Sequence, residues 1–145
     1  MINVKCVNVP IQSESDICVM VVDDQKTMRS IVKSLLKQIG IQNVIEAANG
    51  VEAMMLLEET GALLPDVIMS DMHMDSMDGV QFCNKLRLSK TSQIREIPFV
   101  LLTGETDRML LETCEQVGAC AVLNKPVAAT VLRNTLERAV GYSFQ

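Results

Sequence analysis

Five short apolar runs, each followed by an amphipathic stretch, constrain what this chain can fold into. The runs are "ICVMVV" (17–22), "NVIEAA" (43–48), "DVIMS" (66–70), "IPFVLL" (97–102) and "CAVL" (120–123). The first is continuous rather than alternating, which suits a strand covered on both faces. After it, Met28, Ile31, Val32, Leu35, Leu36 and Ile39 recur at the spacing of one helix face, with Gly40 as a stop. Asn49 stands three residues ahead of Glu52, and Asp78 three ahead of Gln81, as capping pairs that open the second and third helices. A fourth helix is predicted from about Thr106 to Val117, ending near Gly118. The fifth carries Val131, Leu132, Thr135, Leu136 and Ala139 on one face.

Strands alternating with helices in this way imply a parallel sheet covered on both faces, and right-handed crossovers make it doubly wound. The 145 residues suffice for one domain that buries roughly two-thirds of its unfolded surface. By this pattern the chain divides into a polar, flexible lead-in (1–16), a domain (17–140) and a short tail (141–145).

Doubly wound sheets bind ligands beyond the carboxyl ends of their strands. The polar residues there are Asp23 and Asp24 after strand one, Asp71 after strand three, Thr103 after strand four and Lys125 after strand five. Strand two contributes none. Two carboxylates about 4 Å apart repel by roughly 4 kcal/mol at an effective dielectric near 20, so the adjacent aspartates need an offset. A hard cation supplies one, and Mg²⁺ takes oxygen ligands. Lysine suits a phosphoryl oxygen as a point charge, and threonine can donate to another. One carboxylate can then act as nucleophile toward phosphorus, and Asp71 on the central third strand is the candidate. Capping and turn roles account for Asp75 and Asp78.

The acidic doublet, the "SDMHMDSMDG" segment around Asp71, "LLTG" with Thr103 and "NKP" with Lys125 and Pro126 occur in that order. Together they resemble the receiver domain of bacterial two-component response regulators, of the chemotaxis-regulator (CheY-like) type, over about residues 17–140. The resemblance implies an α/β fold of five strands in the flavodoxin-like order 2-1-3-4-5 with five helices. It implies that Asp71 accepts a phosphoryl group from a sensor histidine kinase, a histidine phosphotransfer protein or a small phosphodonor. Asp23, Asp24, Asp71 and the backbone carbonyl of His73 would hold Mg²⁺, with Asp23 acting through water. Thr103, Lys125 and the Gly104 amide would contact the phosphoryl oxygens, and the Lys125–Pro126 bond would be cis. A downstream protein would dock on the face of the fourth helix, fifth strand and fifth helix. Such a protein is modified rather than catalytic toward other substrates. Three positions depart from the family pattern: Asp75 replaces a proline, Val122 replaces the switch aromatic three residues before the lysine, and His73 stands two residues after the acceptor.

The net charge of −5 argues against nucleic-acid binding, which leaves a basic footprint. No run has the length of a membrane span, and the first 16 residues lack the basic start and apolar centre of a signal peptide. Five cysteines without a C-x-x-C pair read as small apolar fillers in a reducing, cytoplasmic setting, and the ten methionines as core filling. His73 supplies backbone only, Asp66 is a solvated turn residue, Asp24 doubles as a helix cap, and "RLSKTSQIRE" (87–96) is a polar loop. Two alternatives stand beside the receiver reading. Haloacid-dehalogenase-like Mg²⁺-dependent phosphohydrolases share the residue types but carry D-x-D at the first strand. A docking-only pseudo-receiver would not need the full pocket. After the fifth helix there is no room for an output domain, so the sequence reads as a stand-alone receiver or as a fragment of a larger regulator.

Overall fold

The five apolar runs form β1 (Cys18–Val22), β2 (Asn43–Ala47), β3 (Val67–Asp71), β4 (Phe99–Thr103) and β5 (Ala121–Asn124) in the computed structural model. The structure describes residues 11, 13–59, 61, 63–104 and 108–144. The strands pair in parallel in the order β2-β1-β3-β4-β5, as expected. Every residue of β1, β3 and β4 is buried, whereas the edge strands β2 and β5 are partly exposed. This is why the central strands read as unbroken apolar runs while the second run, "NVIEAA", carries a charged residue.

The helices are α1 (Lys26–Gln38), α2 (Gly50–Glu58), α3 (Gly79–Arg87), α4 (Ser92–Arg95), α5 (Arg108–Gln116) and α6 (Ala129–Val140). Six helices among the described residues replace the predicted five, because α4 is a single turn inside the segment expected to be a polar loop. It is too short for a periodic signal, and only Ile94 of it is buried. The predicted start of the next helix at Thr106 lies outside the described residues. Gly40 and Gly118 both take positive φ (96° and 93°) just beyond α1 and α5, as their role as stops requires.

Alternate strand residues feed two cores. Met20, Val22, Ile68, Phe99 and Leu101 pack with α2 and α3 on one face, where the Phe82 and Phe99 rings meet edge-on at 5.2 Å. Val19, Val21, Val67, Met69, Val100 and Leu102 pack with α1 and α6 on the other. Ile31 and Val131 were expected on the buried helix faces, yet both are about half exposed (48%). Their neighbours Val32, Leu36, Leu132 and Leu136 carry the packing instead. Cys18, Cys83 and Cys114 are buried thiols outside any disulfide, but Cys120 is exposed, so the filler reading does not extend to it.

Gly79 fixes how α3 meets the sheet. A Cβ there would lie 2.4 Å from Leu101 Cδ2 and 2.7 Å from the Asp71 carbonyl oxygen, so only glycine lets α3 start against the end of β3. Asp78 then caps α3, accepting from Gln81 N–H at 2.8 Å while Gln81 Oε1 accepts from Asp78 N–H at 2.9 Å. Asn49 caps α2 in the same way, accepting from Glu52 N–H at 2.8 Å.

Both ends of the described chain carry contacts. Glu14–Asp16 form a 3₁₀ turn beside Gly40, and Asn43 Nδ2 donates to Ser15 O at 2.6 Å. Beyond α6, Phe144 is buried on the α1–α6 side, its N–H donating to Glu137 Oε2 (2.6 Å) and its carbonyl accepting from Arg133 (2.7 Å).

Candidate functional site

The β1–α1 turn brings Asp23 and Asp24 to the carboxyl edge of the sheet, next to Asp71 at the end of β3. One carboxylate oxygen from each of the three lies within 4.8 Å of the others. Asp23 and Asp71 are buried and Asp24 is exposed, so the group opens to solvent on one side. Lys125, just past β5, reaches in with Nζ 2.6 Å from Asp71 Oδ1, and the Lys125–Pro126 bond is cis as the resemblance implied. The β4–β5 pairing carries this placement onward: Lys125 N–H donates to Thr103 O at 2.8 Å.

Burial raises the Asp23 carboxyl above its ordinary range. A hydrogen bond from Gln25 N–H (2.8 Å) pulls it down, the negative charge of Asp71 pushes it up, Lys125 lowers it and Asp24 raises it. Three carboxylates against one ammonium leave the pocket short of positive charge, and a divalent cation matches that deficit in both donor type and sign. Thr103 is fully buried at the end of β4. Gly104 and His73 are exposed in the loops after β4 and β3.

Two expectations need correction here. Asp24 does not cap α1: the N-cap is Gln25 without a side-chain bond, and Asp24 Oδ2 instead accepts from Asp75 N–H at 3.3 Å. Asp66 is not a free turn residue, because its Oδ2 accepts from Cys18 N–H and its own N–H donates to Cys18 O, both at 2.8 Å. It pins the start of β1 to the approach of β3.

Beside the pocket stands an ion pair between Arg29 and Glu46 that belongs to no motif of the sequence. Arg29 on α1 donates from Nη1 to the Asp23 carbonyl (2.7 Å) and from Nε to Glu46 Oε1 on β2 (3.0 Å). Strand two therefore does contribute a polar group, though not to the pocket itself. An acidic residue in the middle of an apolar strand calls for a partner, and that signal was available in "NVIEAA".

The sequence pattern of the response regulator receiver domain matches residues 19–137. The chain belongs to this family. This receiver domain is 34% identical over 122 residues to the chemotaxis protein CheY1 of Helicobacter pylori, across 84% of this chain and 95% of that one. It is similar in structure to the chemotaxis protein CheY4 of Vibrio cholerae, with a TM-score of 0.73 and 33% identity over 85% of this chain and 98% of that one. It also resembles part of the sensor histidine kinase CheAY of H. pylori, at 32% identity over 131 residues, which is 88% of this chain and 15% of that protein. The receiver domain thus has a CheY-like fold, and its acidic cluster has the donor set that Mg²⁺ uses. No helix among the described residues is long and apolar enough to cross a membrane.

Proposed function

We propose that this receiver domain takes a phosphoryl group on Asp71 in a Mg²⁺-dependent reaction and signals by binding a protein in the phosphorylated state. The observation that carries the reading is the 2.6 Å contact between Lys125 and Asp71 inside the three-carboxylate group. A carboxylate oxygen of Asp71 attacks phosphorus, and the donor's imidazole nitrogen or acetate oxygen leaves with the bonding pair. Asp23, Asp24, Asp71 and the His73 carbonyl would hold the cation, which supplies charge neutralisation where phosphoryl oxygens gather. Lys125 lies beside the acceptor to pair with one of those oxygens, while the Thr103 hydroxyl and Gly104 amide take others.

The donor is a sensor histidine kinase or a histidine phosphotransfer protein, and the setting is cytoplasmic. The α5–β5–α6 face is the partner surface, and exposed Met109 and Leu111 on α5 and Val131 on α6 support that choice. The chain is modified once rather than turning over phosphate esters. Intact-mass analysis after incubation with acetyl phosphate tests the reading. One added phosphoryl group is expected, lost in Asp71→Asn and without Mg²⁺; unchanged labelling of Asp71→Asn overturns it.

A further inference from the structure

We infer that Arg29, braced by Glu46, is a positioning residue that sets how tightly the Asp23–Asp24 turn holds a divalent cation. The inference rests on the reading of the acidic cluster as the Mg²⁺ site. Asp23 is held at its N–H, its carbonyl and one carboxylate oxygen. Its N–H donates to Ala47 O (3.1 Å), its carbonyl accepts from Arg29 Nη1 (2.7 Å), and its Oδ1 accepts from Gln25 N–H (2.8 Å). Two of these anchors come from β2: Ala47 acts directly, and the adjacent Glu46 acts through Arg29.

The Arg29 side chain is only 15% exposed and spans the gap as a fork, with Nε on Glu46 and Nη1 on Asp23. A lysine at this position has one nitrogen and cannot hold both ends. Lys33 Nζ takes the other Glu46 oxygen at 3.1 Å, so the brace is itself tied at both oxygens. Lys33 and Arg29 together hold the Glu46 carboxyl below its usual range, with the Lys33 hydrogen bond the larger cause.

Why should a guanidinium near a cation site strengthen it? Charge alone argues the opposite, because a positive neighbour repels Mg²⁺. Geometry argues for it, because Mg²⁺ demands near-ideal octahedral placement of its oxygens. The aspartates at 23 and 24 repel one another and Asp71, so without the cation they relax apart unless the turn is held. Arg29 holds the turn from behind through the backbone of Asp23, and two effects of opposite sign can be separated.

The test titrates Mg²⁺ into the folded full chain by calorimetry, for wild type, Arg29→Ala, Arg29→Lys and Lys33→Ala, with far-UV circular dichroism confirming the fold. Arg29→Ala should weaken Mg²⁺ binding by about tenfold or more, the loss typical of removing an outer-shell partner. Arg29→Lys keeps the charge and loses the fork, so it should weaken binding as well; it decides the matter if Arg29→Ala does not fold. Lys33→Ala removes the same charge but leaves the Arg29 fork on Glu46 and Asp23, so it should weaken Mg²⁺ binding less than either Arg29 variant. Wild-type or tighter binding in folded Arg29→Ala or Arg29→Lys overturns the positioning role and leaves the receiver reading intact. A wild type without Mg²⁺ affinity removes that reading, and this inference with it.

Discussion

Lys125 Nζ and Asp71 Oδ1 stand 2.6 Å apart although 54 residues separate them in sequence. Asp71 is 8% exposed and Lys125 24%, so the pair is largely out of water. Such a pair costs most when half of it is removed, because the remaining charge is left buried. Lys125→Ala should therefore destabilise the metal-free protein by roughly 2–3 kcal/mol, below the 3–5 typical of fully buried pairs because some solvent reaches the lysine. Urea unfolding with and without Mg²⁺ measures this, and the cation should recover part of the loss. Phosphoryl acceptance from acetyl phosphate should weaken in the same variant.

Thr103→Ala should differ in kind. Only a neutral hydroxyl is lost, so Asp71 should still take the phosphoryl group while the response to it is blunted. If phosphorylated Thr103→Ala binds its target as well as wild type, Thr103 has no part in relaying the signal.

Asp23 gives a pH signature. Its carboxyl is raised in the folded state, chiefly by burial, with Asp71 and Asp24 adding to the rise. A raised carboxyl favours the protonated folded form, so its contribution is present below the unfolded value near 3.8 and is lost as pH rises through the folded value. At neutral pH the ionised group thus works against the metal-free fold. Asp23→Asn should raise the melting temperature at pH 7, and the gain should vanish as pH falls toward 3.8. A gain that persists below that pH would point to packing instead of charge.

Arg87 is a second fork, far from the pocket. It donates from Nη1 to Arg95 O (2.8 Å) and Ile97 O (2.6 Å), and from Nε and Nη2 to Gly118 O (3.1 and 2.8 Å). It joins α3, α4, and the turn before β5. Arg87→Ala should cost about 2–4 kcal/mol, since hydrogen bonds to a charged donor contribute about 1.5–3 kcal/mol each and water replaces some of them. Metal affinity should be unchanged, which separates this residue from Arg29.

Val122 has no ring to turn toward space vacated by Thr103, and it already packs against the core beside α5. The resemblance implies a readout through an aromatic at this position, and that part should be missing here. With beryllofluoride standing in for the phosphoryl group, the largest remote amide shifts should fall on Arg108–Glu112 of α5. If they centre on Val122, this route is wrong.

The strands, the pocket residues and most helix stops were legible because each follows from local pattern or from its place at a strand end. Asp23, Asp24, Asp71 and Lys125 meet because a parallel sheet puts all carboxyl ends on one edge. What escaped notice has the opposite character. Arg29 to Glu46, Arg87 to Gly118 and Asp66 to Cys18 join a side chain to a group far away in sequence, and no period or spacing announces such a bond. Phe144 has its partners nearby, at Glu137 and Arg133, yet nothing in "YSFQ" names them. Helix α4 failed through brevity alone.

The Arg87 fork has a mechanical consequence. Its guanidinium lies under Gly118, where a Cβ would approach Nε to 3.0 Å, so the C-terminal end of α5 is pinned to α3. The pocket lies at the other end, where Thr103 closes β4. A push delivered there acts on a rod hinged at its far end. Helix α5 should then tilt about Gly118 instead of sliding along the sheet, with displacement expected to be greatest at Arg108 and Met109 and to dwindle toward Gln116. Movement passed on from the pocket should therefore be felt mainly at the exposed Met109 side chain, with the fulcrum supplied by a residue at the opposite end of the helix.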